Sequence, residues 1–289
     1  MNDFSATRFS AASQSHNSAH LLLQIACRNG SSTLVRQKHS GPLRVQKALY
    51  PEGPDVCQLI IIHPPGGIVG GDQLSTQVQV GSSANVVVTT PGGTKWYRSN
   101  GQVSRQEVIV EVGRNASLEW LPQESIFYNQ ACVELDHTVL LTGDAHYLGM
   151  EVLCFGRTAS GEAFETGSLR QRSTIYRNGK CIWVEQGVLC AGEAMFNSPL
   201  CLSGNTVCGT LIAAGKAVAP SVVTEIRERA SQNRRSDAGF GVSQRKDLIV
   251  ARYLGHSSEE AKRMLTDVWK MLRPIMLGRD AVMPRIWNT

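Results

Sequence analysis

The feature that most constrains the fold is an alternation of apolar and polar residues from Gln58 to about Thr210. A period of two places alternate side chains on opposite faces, which is typical of a strand with one buried face. The alternation recurs in QLSTQVQV (73–80), ANVVVTT (84–90), VSRQEVIVEVG (103–113), ASLEWLP (116–122), CVELDHTVLLTG (132–143) and AHYLGMEVLCFG (145–156). No helical pattern separates these segments, so the sequence predicts a mainly β, antiparallel fold.

Local signals place the turns and helices. Asn29-Gly30 and Asn178-Gly179 stand between β-rich runs and predict tight hairpins. Helical spacing predicts one helix over residues 220–233, and a capping box from Ser257 to Glu260 opens a second. Pro274 is expected to stop or kink that second helix. The prediction is therefore two helices near the C-terminus, with residues 247–255 forming a strand between them.

Composition narrows the class of protein. The chain has 289 residues and a net charge of +5, too weak and scattered to predict nucleic-acid binding. We expect residues 1–20 to be a flexible tail and residues 21–289 to form one domain, since no linker or internal repeat is visible. The eight cysteines occur singly, which favours free thiols in a reducing compartment. With no membrane-spanning segment and no signal peptide, a cytoplasmic protein is expected.

Two glycine-rich segments are candidates for a binding loop: HPPGGIVGGD (63–72) and TTPGGTKWYRS (89–99). Gly66 and Gly71 have the spacing of a phosphate-binding loop, but Asp72 and Gln73 stand where a Lys and a hydroxyl residue are needed. A carboxylate there repels phosphate, and the following segment is strand-like rather than helical. The segments therefore predict tight connections, with Asp72 either capping a turn or contacting a cation.

With these segments the sequence resembles the UreD (UreH) family of urease accessory proteins. The other matching segments are GPLRVQKALYPEG (41–53), LEWLPQESIFY (118–128), GRTASGEAF (156–164), ARYLG (251–255) and RPIMLGRDAVMPRIWNT (273–289). The residues of the glycine segments that carry the resemblance are His63, Pro64, Pro65, Gly66, Gly67, Gly70, Gly71, Pro91, Gly92, Lys95, Tyr97 and Arg98. All seven segments lie in the family's order and cover nearly the whole chain after the tail.

The resemblance implies a scaffold for assembling the nickel centre of urease, not an enzyme. Such proteins act with UreF, with the GTPase UreG and with urease apoprotein, so GTP is expected on UreG rather than on this chain. The resemblance also implies a helical-sheet, β-helix-like arrangement with a pair of helices. No tightly bound cofactor is expected, only nickel(II) in transit, and neither nucleic acid nor a membrane is an expected partner. A plain adaptor that never contacts nickel is the alternative.

Acidic residues alone in apolar strands are candidates for a nickel path. Glu151, Glu185 and Glu119 are each isolated in this way, and a lone carboxylate in a packed strand is costly unless solvated, paired or metal-bound. The resemblance adds Asp72 and Thr94, which with Glu151 and Glu185 match positions lining a water-filled tunnel in the family. The alternative for each acid is that it points outward or pairs with an arginine such as Arg98, Arg105 or Arg170.

The C-terminus carries a candidate partner anchor, Arg285, Ile286 and Trp287, because Trp and Arg dominate interface hot spots. Core packing is the alternative for these residues. Catalysis by the chain itself is not expected, since no G-x-S-x-G nucleophile motif is present.

Overall fold

The structure is a computed structural model that describes residues 18–233 and 237–288. The predicted flexible tail lies outside the described residues, except for residues 18–20, which begin the first strand. That residues 21–289 form one domain stays a prediction.

The described residues form seventeen strands and three α-helices. In chain order the strands are β1 (Ser18–Arg28), β2 (Ser31–Ser40), β3 (Arg44–Val45), β4 (Val56–Ile62), β5 (Gln73–Val80), β6 (Asn85–Thr89), β7 (Thr94–Trp96), β8 (Ser104–Val112), β9 (Ser117–Leu121), β10 (Ser125–Phe127), β11 (Cys132–Leu141), β12 (His146–Phe155), β13 (Ser168–Arg177), β14 (Lys180–Cys190), β15 (Val207–Ala214), β16 (Gly239–Arg245) and β17 (Leu248–Gly255). The helices are α1 (Glu193–Phe196), α2 (Pro220–Asn233) and α3 (Ser258–Leu277). The strands from β5 to β12 fall within the segments that alternation predicts, apart from the short β7 and β10.

Successive long strands alternate between two facing sheets, so the chain winds in β-helix-like coils. One sheet has the order β14-β13-β11-β8-β5-β1-β2 and the other β16-β17-β15-β12-β9-β6-β4-β3. Within the coils the neighbours are parallel, as in β5 with β8, β8 with β11, β4 with β6 and β6 with β9. The expectation of antiparallel sheets is therefore wrong: the sheets are mixed. Within the coils, each long strand is followed in the chain by a strand of the opposite sheet. Two strands that hydrogen-bond to each other therefore belong to successive coils.

Each coil has a short third side, and aromatic rings stack along it. β10 pairs in parallel with β7 and with the end of β12. This register places Trp96 6.1 Å from Phe127, and Phe127 5.5 Å from Phe155, measured between ring centroids. All three rings are buried. The coils are thus a structural repeat that the sequence does not display, because equivalent positions hold different residues at unequal spacing.

Antiparallel pairing is confined to the ends of the stack, where hairpins close it. Asn29 and Gly30 join β1 to β2, and Asn178 and Gly179 join β13 to β14, as predicted. All four residues have φ between 50° and 79°, the left-handed conformation that this type of turn requires. At the C-terminal end β15, β17 and the unpredicted β16 also pair antiparallel.

Helices α2 and α3 cover the outer face of the β12-containing sheet and form a third layer. One core lies between the two sheets and a second between this sheet and the helices. Helix α2 has the predicted bounds, and the Ser257 hydroxyl accepts a hydrogen bond from the Glu260 N–H, as the capping box predicts. Pro274 does not stop α3, which continues to Leu277 and ends at Gly278 with φ 68°. The very short α1 was not predicted.

Candidate functional site

A cavity of about 280 Å³ lies between the two sheets. Residues of one sheet that line it come from successive coils: Thr76 on β5, Val108 on β8 and Leu135 on β11. Trp120 on β9 and Glu151 on β12 line it from the other sheet. The cavity therefore follows the direction in which the coils stack. Its volume is enough for several water molecules.

The two glycine-rich segments lie side by side at one end of the cavity. Ile68 N–H donates to Lys95 O and Tyr97 N–H donates to Ile68 O, each at 2.8 Å. The motif residues that line the cavity are His63, Gly66, Gly67, Pro91, Gly92, Thr94 and Lys95. The segments are therefore connections between strands of neighbouring coils that also form one wall of the cavity.

Close packing explains particular glycines in these segments. A Cβ on Gly67 would overlap the Tyr97 ring, and one on Gly70 would overlap Asn100. Gly71 has φ 92°, a conformation that L side chains rarely adopt. Pro64, Pro65 and Arg98 are exposed.

Asp72 caps the turn of the first glycine segment. Its Oδ2 accepts a hydrogen bond from Val69 N–H at 2.9 Å, and its own N–H donates to Val69 O. Asp72 is not among the residues that line the cavity. Burial lowers the pKa of the adjacent His63, and the Asp72 carboxylate partly opposes this. The local contacts match the turn-capping alternative for Asp72.

Glu151 lies on the cavity wall, opposite Gln171 of the facing sheet, whose side-chain amide donates to the Glu151 carboxylate. Burial raises the pKa of Glu151 to about 7; Gln171 opposes the rise and Glu185 adds to it. A carboxyl with this pKa changes charge near neutral pH.

Glu185, on β14, lines the cavity near Glu151, at the end away from the glycine segments. Arg252 Nη2 lies 2.8 Å from Glu185 Oε1, and both side chains keep a third or more of their surface exposed. Register places Thr210 of β15 beside both Glu151 and Arg252. Two carboxylates, a hydroxyl and a guanidinium thus meet at this end, and Thr94 lines the cavity near the glycine segments.

An aromatic group lines the cavity between these ends. Tyr147 Oη lies 3.2 Å from His137 Nε2, and the Trp120 ring meets the His137 ring edge-on at 5.5 Å. All three residues line the cavity. Burial lowers the pKa of His137 to about 4, so this imidazole is neutral at physiological pH. A neutral imidazole can coordinate a metal ion through nitrogen, as the carboxylates and hydroxyls of the wall can through oxygen.

Glu119 does not line the cavity. Both of its oxygens lie 3.0 Å from Arg273 Nε, and Trp269 Nε1 donates to it at 2.6 Å. Burial raises the pKa of the Glu119 carboxyl, and the Arg273 guanidinium opposes that rise. These contacts match the alternative of pairing with an arginine, although Arg273 was not among the arginines considered.

The C-terminal residues contact the chain's own core. Trp287 Nε1 donates to Thr89 Oγ1 at 2.8 Å, its ring lies 6.5 Å from that of Trp269, and Lys262 lies over it. Arg285 is exposed and Ile286 is half-buried. A role of Arg285, Ile286 and Trp287 in binding a partner stays a prediction.

Sequence reasoning missed His137, Tyr147, Gln171 and Arg252. The alternation contained a signal for His137, because Val133, Leu135 and Val139 of the same strand are buried in the core between the sheets and His137 is in phase with them. No local signal pairs Gln171 with Glu151, since the two side chains belong to facing sheets.

In residues 18–233 and 237–288 no group of three or more His, Cys, Asp or Glu is arranged to hold a metal ion. None of the helices in this part of the chain combines the length and apolar character needed to cross a lipid bilayer. The cavity wall instead offers carboxylate and hydroxyl oxygens and the imidazoles of His63 and His137.

A model of the family described as UreD urease accessory protein matches residues 17–288. The chain belongs to the UreD family. A protein of Janthinobacterium sp. (strain Marseille) is 53% identical over 281 residues, covering 96% of this chain and 94% of its own. One of Nitrosospira multiformis is 46% identical over 278 residues, covering 96% of this chain and all of its own. Both relatives carry the name urease accessory protein UreD, which fits a UreD-family role in urease maturation for this chain.

Proposed function

We propose that this UreD-family chain is a non-catalytic scaffold through which nickel(II) reaches urease apoprotein, in a complex with UreF and the GTPase UreG. The observation that carries the proposal is the cavity between the sheets, with Glu151 and Glu185 on its wall. The proposed setting is the cytoplasm, which the eight free cysteines support.

The donors on the wall suit transport rather than storage. Carboxylate, hydroxyl and imidazole groups all coordinate nickel(II). An ion can move on only if each site binds it weakly enough to release it. Glu151 and Glu185 lie near one end and Thr94 near the other, so an ion would exchange ligands with water between them. Nickel is here a cargo, and GTP chemistry belongs to UreG.

A plain adaptor is the second candidate, and one observation favours it. Glu151 and Glu185 already have protein partners: Glu151 accepts a hydrogen bond from Gln171, and Glu185 is paired with Arg252. Partners of this kind can satisfy a carboxylate without any metal.

The double substitution Glu151→Gln with Glu185→Gln separates the two candidates. It keeps the side-chain volumes and removes the carboxylates of Glu151 and Glu185 from the cavity wall. Nickel bound per urease active site is measured after activation with UreF, UreG and GTP, and complex assembly is measured by size-exclusion chromatography. We expect normal assembly and reduced nickel loading.

The matched control is Asp72→Asn, which removes a carboxylate charge from outside the cavity lining and is expected to load nickel normally. If the double variant loads nickel as well as the wild type does, the proposal that nickel passes through the cavity is rejected and the adaptor proposal remains. Urease that is fully metallated without this chain would reject both.

A further inference from the structure

A positively charged stretch without acidic residues lies at one end of the coil stack. Residues 18–51 contain five Lys and Arg and no Asp or Glu; the five are Arg28, Arg36, Lys38, Arg44 and Lys47. Taking these five from the 29 Lys and Arg of the chain leaves 24, equal to the number of Asp and Glu. Residues 18–51 therefore carry a net charge of +5, and the acids Glu52 and Asp55 follow them in the sequence.

These five side chains are free to meet another molecule. All are exposed, and none forms an ion pair with a described residue. They lie on β1, β2, β3 and the residues that follow β3. Gln37 Nε2 donates to Val45 O at 2.6 Å and so joins β2 to β3 at this end.

Strand β2 is an edge strand of its sheet. Among the described residues, the backbone of residues 36–40 pairs with β1 alone. Gln37 and His39 lie opposite Leu23 and Leu21, which belong to the core between the sheets. Arg36 and Lys38 therefore face the other way, on the outer face of the sheet. An edge with unpaired backbone groups can accept a further strand.

We propose that β2 binds an acidic, extended segment of a partner protein, which adds to the sheet as its next strand. Carboxylates at alternate positions of that segment would lie opposite Arg36 and Lys38, where cross-strand pairs of opposite charge are favourable. Arg28, Arg44 and Lys47 would attract it from a distance.

Other classes of anionic partner fit this end less well. A single-stranded nucleic acid needs aromatic side chains on which its bases can stack, and residues 28–47 contain no Phe, Tyr or Trp. A membrane surface needs exposed apolar side chains to insert. The first large exposed apolar side chain after β1 is Tyr50.

The test measures binding to a labelled peptide of about eight residues in which Glu and Val alternate, a length that matches a typical strand. The full chain is compared with Arg36→Glu/Lys38→Glu. The matched control, Arg245→Glu/Lys246→Glu, makes the same charge change at the end of β16, the edge strand of the other sheet. We expect Arg36→Glu/Lys38→Glu, the β2 variant, to bind the peptide roughly tenfold more weakly than the wild type, and the control variant to bind it as the wild type does. Binding by the wild type should weaken as the salt concentration rises. Backbone N-methylation of the peptide at alternate residues should also abolish binding, because it blocks strand addition.

Three outcomes would overturn the proposal. One is unchanged peptide affinity in the β2 variant. Another is tighter binding of the wild-type chain to an oligothymidylate or to phosphatidylserine vesicles than to the peptide. The last is self-association of the β2 variant with undiminished peptide affinity, which would show that the cations only protect the edge from pairing with other sheets. None of these outcomes depends on whether nickel passes through the chain.

Discussion

Arg273 and Glu119 form a buried ion pair that joins α3 to the β12-containing sheet. Arg273 Nε lies 3.0 Å from both Glu119 oxygens, and Arg273 Nη2 lies 2.7 Å from Glu52. The guanidinium is fully buried, and its Nη1 also donates to Asp280 O. One cation thus holds together a strand, a loop, the last long helix and the segment that follows it.

Removing this cation should destabilise the fold strongly. Arg273→Met takes the cationic partner away from the Glu119 and Glu52 carboxylates, and breaking a buried pair in this way costs about 3–5 kcal/mol. Urea denaturation followed by circular dichroism gives the free energy of unfolding. Arg229→Met is the control: its pair with Glu225 on α2 is at least half exposed, so a loss below about 0.5 kcal/mol is expected. If Arg273→Met lowered the free energy of unfolding by less than about 1 kcal/mol, Arg273 and Glu119 would not form the stabilising buried ion pair described above.

The stability of the fold should depend on pH through Glu151. Its pKa rises to about 7 in the folded chain, so the folded state holds this proton more tightly than the unfolded state does. Glu151 therefore favours folding at low pH, and this contribution is lost as pH rises through 7. Glu151→Gln stays neutral and should be more stable than wild type above pH 7, by up to about 3 kcal/mol. Equal unfolding free energies for the two proteins at every pH would show that Glu151 is not perturbed; Glu225→Gln, on the exposed face of α2, is the control.

The first glycine segment should not tolerate a side chain at Gly67. A methyl group there would overlap the Tyr97 ring, which packs edge-on against Tyr128 at 5.0 Å. Gly67→Ala should therefore destabilise the chain by about 1–3 kcal/mol, as overpacking does. Gly92→Ala in the second segment has open space around the new Cβ and should unfold at nearly the wild-type urea concentration. Equal midpoints for the two variants would count against this packing.

Trp287 should stabilise the chain itself. Trp287→Ala removes the hydrogen bond to Thr89 and the contact with Trp269, and we expect a loss of about 1–3 kcal/mol. Arg285→Ala changes an exposed neighbour and should leave the unfolding free energy nearly unchanged. If Trp287→Ala weakened only the binding of partner proteins and not stability, the anchor predicted from the sequence would be correct instead.

Part of the candidate site was predictable from the sequence. Glu151 and Glu185 could be singled out because each is the only charge in an apolar run, residues 147–155 and 181–189, and both line the cavity. Glu119 shows the same local pattern but pairs with Arg273, 154 positions away. Local sequence cannot separate these cases, because the partner of a buried carboxylate is chosen by the packing of distant elements.

The sequence by itself determined the long strands from β5 to β12, without the short β7 and β10, the two hairpins closed by Asn-Gly, and helix α2. Each depends on interactions within a few residues: side-chain alternation, positive φ, or a helical stripe. Only the tertiary structure decided that neighbouring strands run parallel, that coils stack, and that a cavity remains between the sheets. Alternation reports which face of a strand is buried, but not which strand lies beside it. That choice depends on how each coil returns to its starting sheet, which involves contacts some thirty residues apart.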